Sequence, residues 1–157
     1  SSIIQTSKYL SNTIDDFRNF FNKEKQISKF NVKNAIRSTI NIIKAVLDKN
    51  DISIHMNVSD EIEIATYENE LIQTLINILN NAKDILTTKD YKRYIKIEVI
   101  EKVKTIEIVI QDNAGGIPNN IIEKIFEPYF TTKHKSQGTG IGLYMTHIIV
   151  NEHLKGV

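Results

Sequence analysis

The chain has 157 residues, 41% of them hydrophobic and 25% charged, with two prolines and six glycines; this is one globular core plus a short extra element, and it excludes disorder and collagen-like repeats. Twenty Lys+Arg against nineteen Asp+Glu leave a net charge of +1, so no overall field draws the protein to nucleic acid or to an anionic membrane. The absence of cysteine removes disulfides, thiolate metal sites and cysteine nucleophiles, and suits a reducing compartment. Apolar runs are too short for a membrane span and no signal-peptide pattern opens the chain, so a soluble, cytosolic protein is expected.

Residues 1–22 predict a helix. Ile3, Leu10, Ile14, Phe17 and Phe21, with Ser7 in the remaining place, keep the three-and-four spacing of a coiled-coil seam. The opposite face (Lys8, Asn12, Asp15, Arg18, Asn22) is polar, which favours a partner helix over packing on the chain's own domain. No N-cap precedes this pattern, so an upstream part is expected. A charged link at 23–25 follows, then a strand candidate at 27–32. The second helix carries Ala35, Ile36, Ile40, Ile43 and Leu47 on one face and stops at the turn Lys49-Asn50-Asp51.

Alternation at Ile52, Ile54, Met56 and Val58, and again at Ile62 and Ile64, predicts two strands. A third helix covers 67–86. Two strands then follow closely, 94–103 and 105–110, with a tight turn at Val103-Lys104. A long loop runs from Asp112 to Gly140, with a short helix near 119–125, and a last amphipathic helix spans 141–153. The chain stops at Gly156-Val157, at the start of another strand. The order predicts an α+β fold: a two-layer α/β sandwich, one mixed sheet layered by helices, with a long N-terminal helix.

Three motifs stand out from this frame. In the third helix, Asn77 and Asn81 lie four apart on one face, with Gln73 one turn earlier. Burying an unpaired amide costs about 1–3 kcal/mol, so the pair either satisfies itself inside the core or serves a polar ligand. An amide oxygen is a hard, neutral donor suited to Mg²⁺. Next, Asp112-Asn113-Ala114-Gly115-Gly116-Ile117-Pro118 directly follows a strong strand. It is either a common turn or a strand-end carboxylate placed to accept from a base amino group, with glycines for close approach. Last, Gln137-Gly138-Thr139-Gly140-Ile141-Gly142-Leu143 opens the final helix. Free N–H groups there suit phosphates. It follows a long loop rather than a strand, so it is not a dinucleotide fingerprint, and without Gly-Lys-Ser/Thr it is not a P-loop.

Between the second and third motifs lies Ile125-Phe126-Glu127-Pro128-Tyr129-Phe130-Thr131-Thr132-Lys133, followed by His134 and Lys135. A basic, aromatic-flanked segment in so long a loop is a lid or disorder, and the adjoining phosphate cradle favours a lid.

In this order and spacing the four elements resemble the catalytic ATP-binding domain of bacterial sensor histidine kinases. The stretch 77–81 is similar to the family's N box, 112–116 to its first glycine box, 126–130 to its F box and 138–142 to its second glycine box. Residues 1–24 resemble the end of the second dimerisation helix, with Ile14-Asp15-Asp16-Phe17-Arg18-Asn19-Phe20-Phe21 carrying that likeness. Residues 25–157 resemble the ATP-binding domain with its last strands cut off. The same fold serves gyrases, heat-shock chaperones and mismatch-repair ATPases.

The resemblance implies a two-component kinase domain that moves the ATP γ-phosphoryl group to a histidine for relay to a response regulator. It implies ATP and Mg²⁺ as cofactors, with Asp112 reading the adenine amino group and Gly116 admitting the base. Asn81 would coordinate Mg²⁺, with Asn77 beside it. Gly138, Gly140 and Gly142, with Leu143, would meet the phosphates at the helix start, and Thr132 and Lys133 would reach them from the lid. Many relatives carry a basic residue three places after Asn81; Asp84 stands there, with Lys83 one place earlier, so Lys133 or Lys135 is expected to supply the charge. Ala114 replaces a more usual glycine.

The related hydrolases place a glutamate, as base for water, where this chain has Asn77, which takes no proton. Transfer to a delivered nucleophile is therefore favoured over hydrolysis, resting on positioning and charge neutralisation. That nucleophile would be a histidine on an upstream helix. His55, His134, His147 and His153 do not fit it, so no residue of this chain is expected to act as nucleophile. Expected partners are that phosphoacceptor helix, a receiver domain and, through residues 1–22, a second copy; nucleic acid and a membrane segment are not expected. The location is the cytoplasmic portion of a kinase, whether or not the whole is membrane-anchored. A non-catalytic ATP-sensing or protein-interaction module is the alternative.

Overall fold

The computed structural model describes residues 3, 4, 7, 8, 11, 14, 25–134 and 137–156, which fall into two compact units: Gln26–Gly116, and Ser1–Lys25 together with Ile117–Val157. The expected α+β class holds.

The unit Gln26–Gly116 begins with β1 (Ser28–Asn31), paired antiparallel with β3 (Glu63–Thr66) so that Phe30 faces Ile64. The expected strand ends one residue early because Asn31 is a helix cap. Its Oδ1 accepts the Asn34 N–H at 2.9 Å and its Nδ2 donates to the Asp60 carbonyl at 2.7 Å. Val32 therefore opens α1 (Val32–Lys49), with its own N–H on the Ile62 carbonyl at 2.9 Å. The buried stripe of α1 is Val32, Ala35, Ile36, Thr39, Ile43 and Leu47. Thr39 takes the central place expected of Ile40, and its hydroxyl donates to the Ala35 carbonyl at 2.9 Å, which makes the polar atom harmless.

The helix α2 (Glu68–Leu86) buries Leu71, Leu75, Leu79, Ala82 and Leu86 along one side, together with Glu70 and Thr74. Each fully buried leucine or isoleucine stabilises the fold by about 1.5–3 kcal/mol before entropy is counted. The two helices pack on each other, α1 against β2 (Ile52–Asn57) and α2 against β5 (Ile106–Asp112). Between those strands lies β4 (Arg93–Glu101), parallel to β2 and antiparallel to β5. The inner face is built from Ile54 opposite Ile95, Met56 opposite Ile97, Ile97 opposite Ile110 and Val99 opposite Ile108. On β4 the alternate residues Lys96 and Glu98 are exposed. The hairpin closes where expected, the Lys102 N–H meeting the Thr105 carbonyl at 2.8 Å.

One feature departs from the single layered sheet. The β1–β3 pair is a separate ribbon, ended by the Asn31 cap rather than joined to β2–β4–β5. Arg93, which no pattern singled out, donates to the Asn50 carbonyl at 2.8 Å and to the Lys89 carbonyl at 3.1 and 2.8 Å. It thereby satisfies main-chain acceptors just past the ends of both helices.

In the second unit, residues 3, 4, 7, 8, 11 and 14 are helical, and Ile3 and Ile14 are exposed. Leu10, Phe17, Phe21 and the polar face at Asn12, Asp15, Arg18 and Asn22 lie outside the described residues, as does most of the likeness at 14–21. The helix expected near 119–125 is a chain of turns: Ile121 N–H to Pro118 C=O at 3.1 Å, Lys124 to Ile121 at 2.9 Å, Glu127 to Lys124 at 2.9 Å. Asn119 and Asn120 compete with the backbone for hydrogen bonds and favour turns over a helix interior.

The final helix, α3 (Gly142–Ile148), continues as one π-helical turn (Ile149–His153) and buries Met145, Thr146 and Ile149. No strand starts at its end among the described residues. Lys155 turns into the left-handed region (φ 55) and the Gly156 N–H returns to the Val150 carbonyl at 2.8 Å. Val157 lies outside the described residues. Among the described residues no helix is long and apolar enough to cross a membrane.

Candidate nucleotide site residues

Each unit carries its own set of the expected residues. In Gln26–Gly116, Asn77 and Asn81 stand one turn apart on α2, both half-buried. Asp84 follows on that face, and its carboxylate pairs with the adjacent Lys83.

Asp112 is the last residue of β5. It lies opposite Ile95, and Ile110 lies opposite Ile97; both isoleucines of β4 are fully buried. Residues on one strand face alternate, so Asp112 ends the inner row that α2 covers. Its Oδ1 accepts the Ala114 N–H at 2.8 Å, which fixes the carboxylate at the strand end while leaving acceptor capacity on it. Gly115 (φ +104) and Gly116 (φ +84) occupy the left-handed side of backbone space, and among the described residues nothing lies within 4 Å of where a Cβ would stand on either. Ala114 is buried and has no positive φ, so alanine fits there without backbone strain.

In residues 117–156 the remaining motifs are tied to each other. Phe126 stacks on the His147 ring, centroids 5.0 Å apart at 28°. Tyr129, a non-glycine residue at φ 65, donates its N–H to the Gly140 carbonyl at 2.9 Å. Gly140 (φ +68) is so close that a Cβ would stand 2.4 Å from the Tyr129 carbonyl carbon. At Gly138 a Cβ would meet the Thr131 Oγ1 at 2.7 Å and the Lys133 Cβ at 2.9 Å. The Gly138 N–H is turned to the His134 carbonyl at 3.3 Å. Thr131 Oγ1 also accepts the Lys133 N–H at 3.1 Å. Thr132 is exposed, Lys133 and Leu143 are half-buried, and Lys135 lies outside the described residues. Gly142 is different: a Cβ there would meet nothing within 4 Å among the described residues.

Several residues of consequence escaped the patterns. Tyr129 and Thr131 lie in the segment already singled out, but no local signal marks that Gly140 and Gly138 close against them, eleven and seven positions on. Glu70 is a carboxylate only 5% exposed in α2; its place just before the apolar Leu71 was the available hint. His55 meets Tyr94 edge-on at 5.6 Å, while His153 lies 3.4 Å from the Lys25 Nζ.

With that geometry in hand, comparison with known proteins is specific. The family described as histidine kinase-, DNA gyrase B-, and HSP90-like ATPase matches residues 66–157, a stretch that contains all four motifs. The two-component sensor PprA of Pseudomonas aeruginosa is 39% identical over 85 residues, covering 52% of this chain and 9% of that protein. Sporulation kinase A of Bacillus subtilis is 30% identical over 124 residues, covering 78% of this chain and 20% of that protein. The chain thus spans a fifth or less of these relatives' length. The solved catalytic domain of histidine kinase ThkA, in a nucleotide-free form, matches with a TM-score of 0.73 at 26% identity, over 82% of each chain. The chain belongs to the histidine kinase-, DNA gyrase B- and HSP90-like ATPase family.

Proposed function

We propose that this chain is the ATP-binding catalytic part of a two-component sensor histidine kinase, and that it directs the γ-phosphoryl group to a histidine delivered by a dimerisation helix. The observation that carries the nucleotide assignment is the end of β5. An acceptor carboxylate closes the inner row of the sheet and is followed by two glycines with open space beside them. An adenine amino group is the donor such a carboxylate suits. The phosphates are assigned to the second glycine box, where open space at Gly142 favours approach, with Thr132, Lys133 and Leu143 nearby in sequence.

The amide oxygen of Asn81, with Asn77 on the same helical face, fits Mg²⁺, since hard neutral oxygens suit an ion that also keeps waters and phosphate ligands. When bound, that ion neutralises phosphate charge. Asn77 supports transfer over hydrolysis, because an amide holds no proton-accepting charge to activate water. The chain's own contribution is to bind, orient and exclude water.

The names of the relatives, a two-component sensor and a sporulation kinase, support the two-component role. A receiver domain as the downstream partner, a second copy through residues 1–24, a cytoplasmic location and 25–157 as the catalytic domain belong to this same proposal.

Titration with a fluorescent ATP analogue tests it. Asp112→Asn turns an acceptor oxygen into a donor facing the amino group, and Asn81→Ala removes the metal ligand; each is expected to weaken Mg²⁺-dependent binding roughly 10- to 100-fold. Weak binding unchanged by both would overturn the assignment. In γ-labelled ATP the chain alone is expected to take no stable label on His55, His134, His147 or His153. Label there would contradict the delivered-nucleophile reading.

A further inference from the structure

Asn113 sits directly after the proposed adenine-facing carboxylate, yet its own polar groups are turned to the opposite strand. Its side-chain Oδ1 accepts the Tyr94 N–H at 2.9 Å, and its Nδ2 donates to the Lys92 carbonyl at 2.8 Å. Its main-chain carbonyl accepts the Tyr91 hydroxyl at 2.7 Å. The ladder between β4 and β5 ends at the pair Ile95 and Asp112. The amide of Asn113 thus continues that ladder by side chain for one more step, beyond the point where main-chain pairing stops. A terminal pair with nothing beyond it frays, and Asp112 is in that terminal pair.

We infer that Asn113 is a positioning residue for purine recognition: it pins the end of β5 to the entry of β4 so that the Asp112 carboxylate keeps one place at the sheet end. The requirement is chemically narrow. One acceptor and one donor must lie an amide's width apart, which asparagine supplies, aspartate half supplies and alanine lacks. The loop beyond offers no such fixed point, since Gly115 and Gly116 are backbone-permissive. On the near side, Asp112 accepts from Ala114 around the same residue, so carboxylate and turn are set together. Asn113 acts through Asp112 and is not assigned a contact to nucleotide. This inference rests on Asp112 being the adenine acceptor.

The experiment compares calorimetric affinities of the whole chain for Mg²⁺-ATP and Mg²⁺-ITP, in which a purine oxygen replaces the amino group. In Asn113→Asp the acceptor toward Tyr94 survives, but an oxygen faces the Lys92 carbonyl. The ATP-over-ITP preference is expected to fall about tenfold, through weaker ATP binding with ITP binding nearly unchanged. In Tyr91→Phe, an exposed position expected to fold in any case, the preference is expected to fall a few-fold. A merely structural role would weaken both nucleotides alike, so an unchanged preference in the folded variants overturns the inference. Asp112→Asn is run alongside. If it leaves the preference intact, the adenine assignment itself fails; if it abolishes the preference while the Asn113 and Tyr91 variants keep it, only the positioning role fails.

Discussion

Gly115 and Gly116, which end the unit Gln26–Gly116, and Gly138 and Gly140, between 117 and 156, belong to motifs that look alike on paper. A methyl group added to the first two meets nothing within 4 Å among the described residues, whereas at Gly140 it strikes the Tyr129 backbone and at Gly138 it stands 2.7 Å from the Thr131 hydroxyl. The first pair keeps a space open; the second pair lets the chain close on itself. A glycine-rich box therefore does not by itself mark backbone bared to a ligand. In the second box the position with open space is Gly142, at the first turn of α3, and the other two are occupied by the segment between Tyr129 and Lys133.

The contrast breaks most visibly at Gly140→Ala. The new methyl must displace main chain, not a flexible side-chain tip, and the residue must also hold φ +68. Left-handed strain and overpacking together are expected to cost roughly 2–4 kcal/mol. Amide hydrogen exchange reads this locally, since the Tyr129 N–H is bonded to the Gly140 carbonyl and is expected to lose its protection. If that amide stays protected in the variant, the close approach of the two segments does not hold in solution.

Gly116→Ala sharpens the same contrast with a smaller effect. Only φ +84 opposes it, with no neighbour to strike, so the expected loss is about 1–2 kcal/mol. Asparagine tolerates this backbone region better than alanine. Gly116→Asn is therefore expected to recover part of the stability lost in Gly116→Ala, while Gly140→Asn recovers none, because its Cβ collides as alanine's does. Paired thermal unfolding of the four variants checks it; equal recovery at both positions would erase the distinction.

What could be read from the sequence was what repeats locally. The leucine stripe of α2 and the alternation of β4 and β5 each bury one face, so period alone located them and set Asn77 and Asn81 on α2, whereas β5 runs two residues past the expected 105–110 to include Asp112. What could not be read depends on contacts between distant residues or on competition at one. Asn31 had a strand's neighbours and became a cap because the Asn34 N–H and the Asp60 carbonyl were within reach. The turns at 118–127 look helical in spacing, but their i to i+3 bonds begin at every third residue rather than at consecutive ones. Asn113 looked like a turn residue, and its bonds to Tyr91, Lys92 and Tyr94 reach back about twenty positions. Gly138 and Gly140 were legible as a glycine box, but their close approach to Thr131 and Tyr129 was not, because it exists only once the loop is folded.

Gly142→Ala is the subtlest variant and the most discriminating, because its two effects carry opposite signs. Gly142 opens α3, no positive φ is required of it, and a Cβ there would meet nothing within 4 Å among the described residues. Alanine restricts the unfolded chain and suits a helix better than glycine, so stability is expected to rise by about 0.4–1 kcal/mol. If the open space receives phosphates, the same methyl fills it, and Mg²⁺-ATP affinity is expected to fall several-fold while adenosine, which lacks phosphates, binds as before. A more stable protein with a weaker grip on the triphosphate alone separates a space kept for a ligand from one that is merely unfilled. Equal affinity for ATP in the stabilised variant would make Gly142 an ordinary helix start, and the phosphate assignment would then have to leave the second glycine box.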